Sequence, residues 1–252
     1  MSAFTKGITN FQEEGSLVGQ SYKLWKDCSI DTLALDYNRG YVFKDNFLTL
    51  PTGKYTLTDT TPSSGAATFA LGDLDGGVGI LDAGTAAEGE GGQIQLNSTV
   101  GAGFFTQASG TLWFESRVKV ADMATGPEFF LGLSAIDTTI LASSANTSAN
   151  HIGFESVSDD GVLLFHAEVA GARTSSTATI HTLVEDTYVR LGFKVVDRAR
   201  IEVYVNGAKV DTLTAGFPLV GMVPSFAVHS DGTTDSIGYI DWWDVAVERT
   251  AS

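Results

Sequence analysis

The stretch Thr187–Val210, TYVRLGFKVVDRARIEVYVNGAKV, decides the fold. Val189, Leu191, Phe193 and Val195 alternate with Tyr188, Arg190, Gly192 and Lys194, the period of two of a strand buried on one face. After the polar turn Asp197-Arg198-Ala199-Arg200, Ile201, Val203 and Val205 alternate in the same way with Glu202, Tyr204 and Asn206. Asn206-Gly207 then offers residues that accept a positive φ, closing a second tight turn. Three consecutive antiparallel strands follow from this stretch alone.

Working outward, the same rhythm recurs. In Thr111–Val120, Leu112, Phe114, Ser116, Val118 and Val120 fall on one face and Trp113, Glu115, Arg117 and Lys119 on the other. Phe129–Ala135 points Phe129, Leu131, Leu133 and Ala135 inward. Ile152–Val157 and Val162–Val169 read as a hairpin across Ser158-Asp159-Asp160-Gly161, Phe226–His229 as a strand, and Ile237–Glu248 as the closing strand. Before them, Asn46–Leu50, Tyr55–Asp59, Ala67–Leu71, Val78–Asp82 and Gln93–Asn97 are shorter strand candidates between glycine-rich turns. Ile140–Asn150, ILASSANTSAN, is small and polar and reads as a long exposed loop. No run of ten residues or more holds a helical period, so the expectation is all-β, an antiparallel sandwich.

Composition agrees. A chain of 252 residues with 43% hydrophobic content and 28 glycines against 5 prolines suits one sandwich domain. Thirty acidic against 15 basic residues give a net charge of −15, which excludes nucleic acid and anionic membrane as natural partners, since phosphates would be repelled. Cys28 is the single cysteine, so no internal disulfide forms. The segment MSAFTKGITNFQEEG shows no basic stretch followed by an apolar one, which leads to the expectation of a chain made and folded in a cytosol.

Residues 1–41 differ from the remainder: they show no sustained alternation but carry Phe4, Phe11, Leu24 and Trp25 among scattered charges. They are expected to form an irregular arm that packs on the domain or on a neighbouring subunit, with those four residues as partner contacts. Residues 42–252 form the body.

R-L-x-F-x-V at Arg190–Val195, closing with Y-V-N-G-x-x-V at Tyr204–Val210, resembles the central hairpins of concanavalin A-like jelly rolls: laminin-G, pentraxin and legume-lectin domains and family 16 glucanases. Trp113–Val120, Phe129–Leu133, His151–Phe154 and Ile240–Trp243 come in the order such domains show. Among these, the chain is most similar to virion proteins of tailed bacteriophages that carry the jelly roll as a capsid decoration or fibre module. That resemblance implies a non-enzymatic structural protein of the virion, a homo-oligomer attached through its arm to the major capsid or other virion proteins. The alternative is a carbohydrate-binding, receptor-binding fibre or tail module.

Carboxylates are the groups with which a jelly roll of this kind would hydrolyse a glycoside. Glycosidases need two, about 5–9.5 Å apart, and the family 16 pattern E-x-D-x-x-E within one strand is absent. Glu115 is expected to face water with Arg117, Asp241 and Asp244 to point to opposite faces, and His166 and Glu168 to share one face as a polar pair. His151, His166, His181 and His229 lack zinc-ligand spacing. Asp73-Leu74-Asp75-Gly76 is a candidate calcium loop through Asp73 and Asp75, hard oxygen ligands beside a glycine; no other cofactor is implied. A glycan or a subunit would find Trp113, Arg117, Tyr188, Arg190 and Tyr204 on one strand face, which would serve equally well under the arm. Of Trp242 and Trp243, one points in and one out.

Overall fold

The computed structural model describes residues 22–36, 38–60, 65–72, 77–84, 87–97, 105, 110–121, 127–142, 145–146, 148–156, 160–176, 178–230 and 232–249. Two short helices, α1 (Tyr22–Trp25) and α2 (Ile30–Leu35), precede the strands β1 (Gly40–Asp45), β2 (Tyr55–Thr60), β3 (Thr68–Leu71), β4 (Gly79–Asp82), β5 (Gly91–Leu96), β6 (Leu112–Ala121) and β7 (Glu128–Ser134). There follow β8 (Leu141–Ala142), β9 (Ala145–Asn146), β10 (Asn150–Ser156), β11 (Val162–Val169), β12 (Ala172–Ser175), β13 (His181–Thr182), β14 (Val189–Val196), β15 (Arg200–Val205), β16 (Ala208–Leu213), β17 (Val223–His229) and β18 (Ile237–Glu248).

The strands make two antiparallel sheets. Sheet A runs β16-β15-β14-β6-β18-β4-β3 with β1 beside the second half of β18; sheet B runs β12-β11-β10-β7-β17-β5-β2 with β13 beside β11. Their facing sides alternate apolar residues as the sequence pattern requires. Phe114, Leu191, Phe193, Val203, Trp243 and Val245 of sheet A meet Phe129, Leu131, Ile152, Phe154, Phe165 and Phe226 of sheet B in one buried cluster. Phe193 bridges the layers, stacked on Phe114 at 5.0 Å and edge-on to Phe165 at 5.4 Å, a favourable ring geometry.

The deciding stretch folds as read. β14, β15 and β16 pair in sequence. Asp197 and Arg198 turn with φ of 46° and 56°, and Asn206 and Gly207 with 48° and 77°, the mirror-image turns whose twist matches a hairpin. Trp243 is fully buried and Trp242 half-buried, one in and one out. Three expectations need correction. Asn46–Leu50 is not a strand: Phe47 takes φ of 51° and folds its ring into the core beside Tyr55 and Trp243, and the strand lies earlier, in β1. Asp241 and Asp244 do not point apart, because β18 bulges between Ile240 and Trp242, adding one residue and resetting the alternation. Asp241 therefore reaches Arg117 while Asp244 reaches Lys44 at 3.1 Å. Finally, Ile140–Asn150, where it is described, belongs to a cover that begins near residue 135 and is not an exposed loop. Ile140 and Leu141 are fully buried against Phe130 and Ala227 on the outer side of sheet B.

Candidate functional site

Each sheet has an outer face, and both are largely occupied by the chain itself. On sheet A the arm supplies the cover. Leu24 and Cys28 around α1 and Leu33 in α2 pack on Trp113, Tyr204 and Ala246, with Trp25, Ile30 and Val42 at the margin. Helices of four and six residues would not persist alone; this apolar contact holds them. Polar groups at the seam are matched: Trp25 Nε1 donates to Glu115 at 2.7 Å, and Lys194 pairs with Asp27.

The expected glycan face is therefore split. Trp113 and Tyr204 are 1% and 4% exposed beneath the arm, so they offer no platform to a ligand. Glu115, expected in water, is buried there too, because the arm brings Trp25 over it. Leu24, expected to meet a partner, is spent on the chain's own sheet. Arg117, Tyr188 and Arg190 lie beyond the arm and are half-buried. Arg117 stacks on Tyr188 at 3.9 Å, and Lys119 sits 4.3 Å from the Tyr239 ring while pairing with Asp186 at 2.7 Å. Phe4, Phe11, Asp73 and Asp75 lie outside the described residues. Among the described residues no group of three or more His, Cys, Asp or Glu is placed to hold a metal ion.

The outer face of sheet B is polar. Register places Ser175, His166, Gly153, Gly132, Ser225, Gln95 and Thr56 in one row across seven strands. Gly132 and Gly153 keep the centre of that row low, since a Cβ on either would lie 2.2 or 2.5 Å from a neighbouring backbone oxygen. At one end, Gln93 and Gln95 act as a side-chain rail. Gln95 accepts from Asp137 N at 3.0 Å and donates to Ala135 O at 3.1 Å; Gln93 accepts from Ile140 N and donates to Asp137 O, both at 2.6 Å. Two amides thus pin the start of the 135–150 cover as a further strand would. Between this pinned segment and β2 opens a groove of about 230 Å³ lined by Thr56, Thr58, Gln95, Leu96, Asn97, Ile136, Asp137 and Thr138. Asp137 lines the groove with its Oδ1 accepting from Thr139 N at 3.0 Å, and a carboxylate has a second oxygen with which to accept.

Toward the other end lie buried titratable groups. Arg173 holds Glu168 at 2.9 Å and Glu155 at 3.2 Å. His151 Nδ1 donates to Ser148 O at 2.8 Å, so it also ties down the far end of the cover; its Nε2 has no hydrogen-bond partner and stands 3.9 Å from Glu155. Burial lowers His151 to about 4, and burial together with Arg173 and His151 lowers His166 to about 4, since a charged imidazole there loses its hydration. His166 and Glu168 do share a face, but Glu168 serves Arg173 and His166 Nδ1 meets Ser175 Oγ at 2.8 Å. In the row Thr60, Gly91, His229, Glu128, His229 Nε2 lies 2.9 Å from Thr60 Oγ1. Its Nδ1 lies 3.2 Å from Glu128 Oε2, poorly aligned for a hydrogen bond. The groove and these clusters escaped the sequence reading, although T-x-T-x-T in β2 and Q-x-Q in β5 repeat polar residues with strand period.

The architecture is that of a concanavalin A-like jelly-roll sandwich. Solved structures similar to this chain include a protein of unknown function from Shewanella oneidensis (TM-score 0.56, 15% identity, 85% of this chain and 89% of that one). Peanut lectin follows (0.56, 11%, 84% and 99%), as does the β-glucanase of Bacillus licheniformis (0.54, 14%, 83% and 98%). At these identities the likeness shows the fold. No protein-family model and no curated protein matches the sequence.

Proposed function

We propose that the protein is a carbohydrate-binding module whose ligand lies in the groove between β2 and residues 136–138. The observation that carries this reading is the groove's lining: hydroxyls of Thr56, Thr58 and Thr138, one carboxylate at Asp137 and an apolar ledge at Ile136, which is 57% exposed, between walls that the amides of Gln95 and Asn97 hold in place. Neutral groups that both donate and accept suit a ligand made of hydroxyls. Peanut lectin and the glucanase share the fold, which supports this reading better than the virion-structural one. An acidic surface of −15 disfavours sulfated or uronic glycans, so the ligand is an uncharged sugar. Binding without hydrolysis is supported by the groove's single carboxylate, since hydrolysis of a glycosidic bond takes two. Glu155 and Glu168 are buried and held by Arg173, and Glu128 is buried facing His229.

A glycan array carrying neutral and acidic sugars tests this, followed by calorimetry on the best neutral ligand. Asp137→Ala should weaken binding about tenfold, the size of one lost hydrogen bond to a charged group. No response to any neutral glycan, or binding that Asp137→Ala and Thr58→Val both leave unchanged, overturns the reading.

A further inference from the structure

A sandwich leaves unpaired strand edges, and an exposed edge invites another strand unless charge, proline, a bulge or brevity blocks it. Sheet A ends at β16, where Lys209 and Asp211 alternate and the pairing slips between Val203 and Tyr204. Its other end, β3, has four residues, and β1, paired only with β18, carries Lys44. Sheet B ends at β12, also four residues long and bearing Arg173. Its remaining edge, β2, is different: YTLTDT, six residues, paired in continuous register with β5 from Tyr55 to Thr60, without lysine, arginine, proline or bulge. Thr56 and Leu57 are exposed on it, Leu57 at 39%, and no described segment pairs with its free side.

We infer that β2 is the contact through which two copies of this chain associate, pairing antiparallel about a two-fold axis perpendicular to sheet B. The occupant is a second copy because the edge is self-complementary. To keep the two sheets continuous, residues facing the same side must oppose each other, which puts the axis on a residue rather than between two; the longest overlap of the six-residue strand then places it at one of the central pair, Leu57 or Thr58. In the first case Asp59 of one copy faces Tyr55 of the other; in the second it faces Leu57. Neither sets the strand's only charge against itself, the repulsion that would forbid the pairing. Thr56 and Thr58 point to the outer face and line the groove. A second β2 beside the first, about 4.8 Å away, extends the groove floor with the same hydroxyls and joins the two grooves. The joined groove rests on the glycan reading; the dimer does not.

The test is the mass of the unliganded full chain by sedimentation, from micromolar to millimolar, at low and high salt. The expected result is a shift from 26.6 kDa toward twice that value, stronger at high salt because screening weakens the repulsion between two acidic copies. Leu57→Lys should hold the chain at single-copy mass with an unchanged circular-dichroism spectrum. It should keep the single-site affinity for a soluble neutral glycan while losing the gain on a multivalent glycan surface. Leu57→Cys and Thr58→Cys, made separately, distinguish the two axes: under mild oxidation the variant on the axis cross-links two copies and the other does not. Single-copy mass throughout, a dimer that survives Leu57→Lys, or no cross-link from either cysteine overturns the inference. Absence of any glycan binding with the dimer intact removes only the groove reading.

Discussion

The two outer faces of this sandwich are both covered by the chain's own segments, yet they are built on opposite principles. On sheet A, α1 and α2 lay Leu24, Cys28 and Leu33 onto Trp113 and Tyr204, and the polar atoms at the seam find partners at its edge. On sheet B the cover's buried apolar contacts, among the described residues, are Ile140 and Leu141, and Gln93, Gln95 and His151 reach its backbone. Buried beneath or beside it are Glu128, His229 and His151 with atoms that have no aligned partner. The first face is a stability device, an apolar contact whose polar neighbours are paired. The second carries polar groups whose burial lowers stability.

Truncating Trp113 to alanine is the largest single blow to this contrast. It removes a fully buried ring from under the arm and should cost about 3–5 kcal/mol in urea unfolding; a loss below about 1 kcal/mol would mean the arm is no true cover. On sheet B, Glu128→Ala should cost about 1–3 kcal/mol by leaving the buried His229 ring without the polar group it faces, whereas Glu128→Leu with His229→Leu should restore most of that loss. A double variant no better than the single one would show that the pair stabilises the fold.

Acid separates the faces next. Burial holds His151 and His166 near 4, below the value of about 6.5 for an unfolded chain. Between those values the unfolded chain binds protons that the folded chain refuses, so stability is complete above about pH 6.5 and declines as the pH falls toward 4. Each histidine accounts for up to about 3 kcal/mol of that decline. His151→Gln with His166→Gln should flatten the slope of unfolding free energy against pH over this window, and an unaltered slope would place the titration elsewhere. The smallest effect belongs to the seam of sheet A. Asp27 is 58% exposed where it meets Lys194, so Asp27→Ala should cost under about 1 kcal/mol, and less in high salt.

The fold was legible because its strands alternate strictly. Leu191, Phe193 and Val195 against Arg190, Gly192 and Lys194 leave one solution, and β6, β10, β11 and β18 repeat it. Alternation says which side a residue takes but not what lies over that side. Trp113 and Tyr204 fall on the correct face of sheet A, but the choice between a ligand, a subunit and the arm stays open in the sequence, because a four-residue and a six-residue helix have too few turns to show a period. The groove was illegible for a related reason: Gln95 of β5, Thr58 of β2 and Asp137 of the cover are far apart in sequence and converge only through strand order. Asp241 was misplaced by a single inserted residue, since a bulge leaves no mark in an alternating pattern.

Cys28 turns the arm into its own reporter. Its thiol is 4% exposed between α1 and α2, and burial with the neighbouring Asp27 pushes it up to about 12, so at neutral pH it is neither ionised nor reachable. Alkylating reagents can modify it only during the intervals when both helices have lifted from Trp113. The rate of that modification is therefore a clock for undocking, read from the chain's one natural sulfhydryl without a label of any other kind.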